Sequence, residues 1–111
     1  MDEKDRKNIN KMLEHAQCIV EETKTIKNAE GFKNNNDKSK AALFDLLQIG
    51  ELTNNLSKEF VQEMSDIPWN NVYNLRNRIV HGYASVDYEI IWETITNNIP
   101  YLIRELKKAL K

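Results

Sequence analysis

The chain has 111 residues, 41% hydrophobic and 30% charged, with three Gly and two Pro, a size that buries one core and a balance that suits long polar-faced helices over turn-rich sheets. Sixteen Lys and Arg against 17 Asp and Glu leave a net charge of −1, which excludes a global field drawing the protein to nucleic acid or to an anionic membrane, so any polyanion must be bound locally. The single Cys18 excludes an intrachain disulfide framework; with no apolar leader after Met1 and no apolar run near the roughly 18 residues of a spanning helix, the expected setting is the cytoplasm, without a membrane.

Apolar positions Ile9, Met12, Leu13, Ala16, Ile19, Val20 and Ile26 fall at the three-four spacing of one helix face, which predicts a first helix over roughly residues 4–28. The stretch 31–37, with a glycine and three asparagines, reads as a loop. A second helix is expected from about Lys38 to Met64 on the stripe Leu43, Leu46, Leu47, Ile49, Leu52, Leu56, Phe60, Val61 and Met64. Gly50 in its middle costs about 1 kcal/mol relative to Ala, so a close neighbouring backbone, a ligand or simple tolerance accounts for it.

Ser65 and Asp66 before Pro68 read as the capped start of a third helix that runs to His81. Gly82 is expected to end it as a left-handed residue. Asp87 reads as the cap of a fourth helix carrying Ile91, Ile95, Ile99, Leu102, Leu106 and Leu110, with a break or kink at Pro100. The expectation is one all-α domain over residues 1–111, an antiparallel bundle of four to five helices.

The third helix differs from the rest in charge. Between Ile67 and Val86 there is no acidic residue, although the chain's average predicts about three in twenty positions. Arg76, Arg78 and His81 lie within this gap beside Asn70, Asn71, Asn74 and Asn77, a local site for phosphate. Cleaving an RNA phosphodiester requires moving the 2′-hydroxyl proton, protonating the leaving oxygen and stabilising the equatorial oxygens. A guanidinium at Arg76 and an imidazole at His81, near the negative end of a helix dipole, supply that chemistry without metal. Five residues at 100° leave the two about 140° apart on an ideal helix, so a bridging reach, fraying near Gly82 or a twofold dimer has to unite them. Asn77, one turn before His81, is placed to orient the imidazole.

Surface charge for Arg76 and Arg78, a capping role for His81 and core roles for Tyr83, Trp69 and Trp92 are the plain alternatives. Spacings for a di-iron site, a zinc site or a phosphate loop are absent from the sequence, and His15 reads as a surface residue, so no metal or cofactor is expected.

The run Arg76-Asn-Arg-Ile-Val-His81-Gly-Tyr83 resembles the R-x4-H-x-Y signature of the HepT-like branch of the HEPN domains, toxins of prokaryotic toxin-antitoxin pairs. Ile49-Gly50-Glu51, Ile67-Pro68-Trp69 and the stretch from Val86 to Thr94 are similar to the family pattern in the right order, so the likeness covers roughly residues 43–106. The resemblance implies an HEPN-like helical bundle and a metal-independent endoribonuclease. It further implies a homodimer in which Arg76 and His81 of both copies line one cleft that takes RNA, with Asn77 as the orienting polar residue and Glu51 and Arg78 in support. Tyr83 matches the tyrosine to which a partner nucleotidyltransferase antitoxin transfers AMP, an anionic adduct that would block RNA. Many relatives carry Asp where this chain has Gly82, which bears on how Tyr83 is presented. The competing expectation is a non-catalytic helical module that docks a nucleotidyltransferase or nucleic acid.

Overall fold

The computed structural model describes residues 1–82 and 86–111, with His81 described by its backbone alone. Its first helix, α1 (Glu3–Thr23), starts where Asp2 accepts a hydrogen bond from the Asp5 amide and buries the face Ile9, Met12, Ala16 and Ile19. The expected continuation to residue 28 does not form. Thr23 turns its hydroxyl back onto the Ile19 carbonyl, and Asn28 takes an extended conformation in which its side chain caps the next helix.

That next helix, α2 (Ala29–Asn34), lies where a loop was expected. Phe32 explains it: the ring is fully buried and packs against Tyr88 and Trp92 at centroid distances of 6.0 and 5.6 Å. Burying one aromatic outweighs the weak helix propensity of Gly31 and its asparagine neighbours. Asn35 then donates its backbone N–H to Phe32 and accepts from the Lys38 amide through its side chain. One asparagine thus ends α2 and begins α3 (Asn36–Asn54).

The predicted helix over 38–64 is two helices, α3 and α4 (Lys58–Glu63), because Ser57 caps the second. Asp5 of α1, buried, fixes this break by accepting from the Ser57 amide at 2.9 Å and from its hydroxyl at 2.6 Å. Cross-links between residues 5 and 57, 8 and 55, 15 and 45, and 25 and 38 show α1 and α3 running antiparallel along their full length. Asp5→Ala is expected to lower stability by about 1–3 kcal/mol, since it takes the acceptor from the half-buried Ser57 amide and hydroxyl. Urea unfolding with an unchanged slope and a reduced midpoint checks it.

Helix α5 (Trp69–His81) packs on α3, and its first residue is anchored by the indole N–H of Trp69 donating to the Met64 carbonyl at 3.0 Å. The expected caps Ser65 and Asp66 make no capping bond; Pro68 itself occupies the cap position. Asp87 caps α6 (Tyr88–Glu93) as predicted, accepting from Glu89 and Ile90. The chain then passes through a π-helical turn, Thr94–Asn98, into α7 (Ile99–Ala109). Pro100 has no N–H to give the Thr96 carbonyl, and the neighbouring Ile99 amide bonds Thr94, one residue further back than in an α-helix. The buried faces of α1, α3, α5, α6 and α7 meet in one core, an all-helical bundle in which no strand occurs among the described residues.

Candidate active site

The site begins at the crossing of α3 and α5. Gly50 is buried against Arg76: a Cβ built on Gly50 would stand 2.2 Å from the Arg76 Cβ and 2.8 Å from its Cγ. The missing side chain therefore lets the two helices approach until the arginine stem lies on the α3 backbone. Arg76 is consequently half-buried, with 24% of its side chain exposed.

Its guanidinium is held on two sides. Glu51, beside Gly50 on α3, takes both Nε and Nη2 through Oε1. Asn77 accepts from Nη1 at 2.8 Å. A guanidinium carries five N–H groups; among the described residues two make these hydrogen bonds and Nη2 is held as an ion pair, so N–H groups remain on both Nη1 and Nη2. These remaining donors can bond phosphate oxygens. The Tyr73 ring, one turn before Arg76, lies 6.0 Å from the Arg76 Cζ and limits swinging of the group. Sequence reasoning did not single out Tyr73; its i to i+3 spacing from Arg76 is the signal that marks it.

Of the six residues singled out from sequence, Glu51, Arg76 and Asn77 are in contact. Asn77 faces Arg76, through the bond just described. Its expected contact with the His81 imidazole, the His81 side chain itself and Tyr83 lie outside the described residues. Arg78 stands about 200° round α5 from Arg76 and faces α6 and α7. Gly82 does not take the expected left-handed conformation: its φ is −130°, and its amide donates to the Arg78 carbonyl at 3.0 Å, extending the helical ladder one step past His81.

Elsewhere His15, expected at the surface, is half-buried with Nδ1 2.7 Å from Asp45 Oδ1, tying α1 to α3. No helix among the described residues is long and apolar enough to cross a membrane. No group of three potential metal ligands stands together among them.

An arginine clamped by a carboxylate and an amide, five residues before a histidine at the end of an acid-free helix, is the arrangement to compare with known proteins. The profile of the "Ribonuclease HepT-like" family matches residues 8–109. The chain belongs to the HepT-like ribonuclease family. It is 35% identical to a protein named as a candidate RNase in Caldanaerobacter subterraneus subsp. tengcongensis, over 90% of this chain and 88% of that protein. It is 31% identical to one so named in Methanocaldococcus jannaschii, over 90% and 82%. A protein named as a candidate ribonuclease HepT in Thermococcus cleftensis is 32% identical over 57% of each chain. No solved structure matches. The all-helical architecture of this HepT-like chain and its match along α1 to α7 agree with the resemblance carried by Arg76 to Tyr83.

Proposed function

We propose that this HepT-like chain, acting as one domain in the cytoplasm, is the toxin of a toxin-antitoxin pair: a metal-independent endoribonuclease whose cleft is shared by two copies. The observation that carries the reading is Arg76, clamped by Glu51 and Asn77 with N–H groups left over on both Nη atoms. In the cleft the RNA 2′-oxygen attacks the adjacent phosphorus in line and the bond to the 5′-oxygen breaks. The His81 imidazole accepts the 2′ proton and returns it to the leaving 5′-oxygen. Arg76 stabilises the charge on the equatorial oxygens, and the products are a 2′,3′-cyclic phosphate and a 5′-hydroxyl. Positions 76 and 81 stand about 140° apart on one helix, so two copies bring the guanidinium of one and the imidazole of the other into the same cleft.

Exposed apolar side chains support the pairing of copies. Phe44, seven residues before Glu51 on α3, is 57% exposed, and Val80, four residues after Arg76 on α5, is 43% exposed. Both lie along the faces that carry the Glu51–Arg76 pair. Regulation follows the resemblance: a nucleotidyltransferase antitoxin transfers AMP from ATP to the Tyr83 hydroxyl, releasing pyrophosphate. The adduct's negative charge competes for Arg76 and excludes RNA.

Purified protein is expected to cleave RNA in EDTA and to arrest growth on expression, with Arg76→Ala and His81→Ala both silent. Binding of RNA without nicking, unaffected by His81→Ala, would instead assign the chain to the non-catalytic docking module. Glu51 adds a separable expectation. Glu51→Ala releases the guanidinium and removes a negative charge next to the scissile phosphate, so kcat should fall about tenfold to a hundredfold while KM falls as well. Glu51→Gln keeps an acceptor oxygen and should recover most of kcat; steady-state kinetics on a short RNA separates the two parameters.

A further inference from the structure

We infer that the groove on the other side of α5 from Arg76 seats one nucleotide of the RNA strand, its phosphate on Arg78. The inference rests on the ribonuclease reading above and adds a subsite to it. The groove lies between α5 and the run from α6 through the π-helical turn to α7, with a volume of about 330 Å³, within the range of sites for small organic ligands. Its floor is apolar, made by Leu46, Ile49, Leu75 and Leu102, and its wall carries Asn71, Asn74 and Asn98 with the ring of Tyr101.

Arg78 is exposed at the rim of this wall, and among the described residues its side chain has no hydrogen bond or ion pair. No carboxylate lines the groove; Asp87 enters only where it continues towards Gly82, with Oδ1 engaged by the start of α6. A guanidinium at the rim of a partly apolar groove, with amides around it and no acidic residue in the lining, matches a ligand with an anionic end, hydrogen-bonding edges and a flat apolar body. A nucleotide has all three.

The location decides that the nucleotide belongs to a strand. Arg76 and Arg78 flank the exposed side of α5, about 200° apart, and position 81 falls between them, about 60° from 78 and about 140° from 76 by the helical repeat. A strand whose scissile phosphate is on Arg76 therefore crosses the width of one helix, about 10–12 Å, to reach Arg78. The exposed amides along that path, Asn70 and Asn74, carry no charge to repel it.

The test uses full-length protein and a 2′-O-methyl oligonucleotide, which lacks the nucleophile and so reports binding alone. Arg78→Ala is expected to raise Kd about tenfold and to lower the slope of log K against log salt by about 0.7, the signature of one lost single-strand phosphate contact. Ile90→Glu, which places a carboxylate at a rim position already 42% exposed, should weaken binding by about tenfold with Arg78 intact. Unchanged Kd and slope in both variants overturn the inference. So does Arg78-dependent binding of free AMP or UMP with oligonucleotide affinity unaltered, which would make this a mononucleotide site. A change of oligomeric state in Ile90→Glu with unaltered RNA affinity per copy would assign the groove to a second chain and likewise overturn it. Cleavage of unmodified RNA is measured in parallel. Wild-type protein that binds the oligonucleotide through Arg78 and cuts nothing refutes the ribonuclease reading and leaves the subsite standing.

Discussion

Arg76→Ala should slow RNA cleavage by roughly a thousandfold or more, the scale seen when a single positioned donor or arginine to a transition-state phosphoryl group is removed. The loss arises from charge that develops only as phosphorus becomes five-coordinate, so it is expected in kcat more than in KM. Arg76→Lys should recover little. An ammonium is a point donor that cannot bond Glu51 and Asn77 and still offer N–H groups on two nitrogens. The shared cleft predicts a further result. When Arg76→Ala and His81→Ala chains are mixed and allowed to exchange, the heterodimer holds one intact arginine and one intact histidine, which come from different chains. Activity should then reappear at a substantial fraction of the wild-type level, although each variant alone is silent. Mixed subunits that stay inactive despite forming dimers would mean that both residues must come from the same chain, and the shared cleft would be wrong.

The parts of the fold that could be read from sequence are those where burial and local signal coincide. Ile9, Met12, Ala16 and Ile19 of the α1 stripe, the Asp87 cap and a helical irregularity just before Pro100 rest on short-range patterns and appear where the patterns put them, whereas Val20 of that stripe is exposed and Ile26 lies beyond the helix. The α3–α4 break could not be read in this way, because Leu52, Leu56 and Phe60 keep a four-residue apolar spacing straight across it. What interrupts the helix is Asp5, more than fifty residues away, bonding Ser57. Phe32 is similar: its helix exists because Tyr88 and Trp92 are there to cover the ring. At the site, Arg76 stood out because acidic residues vanish around it, a feature of composition. That its stem needs Gly50 depends on the register of α3 against α5, which no periodicity within either helix records. Gly82 shows the opposite case: the residue is able to adopt positive φ, yet the helix ends without it.

Gly50→Ala tests that register. By helix propensity alone the change should stabilise α3 by about 1 kcal/mol. Packing opposes it, since the new methyl would sit 2.2 Å from the Arg76 Cβ and 3.4 Å from its Cα, against an ordinary carbon–carbon contact of about 3.5–4.0 Å. The Cβ of Arg76 cannot move without its backbone, so relief comes from parting α3 and α5 or rotating α5. Overpacking of this kind costs about 1–3 kcal/mol and sometimes more. The net expectation is a loss of about 1–2 kcal/mol, a fall in Tm of roughly 5–15 °C for a domain of this size. Catalysis should suffer more than stability. A shift of about 1 Å at the arginine stem carries the guanidinium away from Glu51, and misplacement on that scale costs about a hundredfold in rate. Assays well below the lowered Tm separate the two effects, because a folded but slow enzyme points to geometry and an unfolded one does not. A variant that is more stable than wild type by about the propensity gain, and cleaves RNA at the wild-type rate, would show that α3 and α5 do not meet at Gly50 and Arg76. The placement of the guanidinium argued from that contact would fall with it.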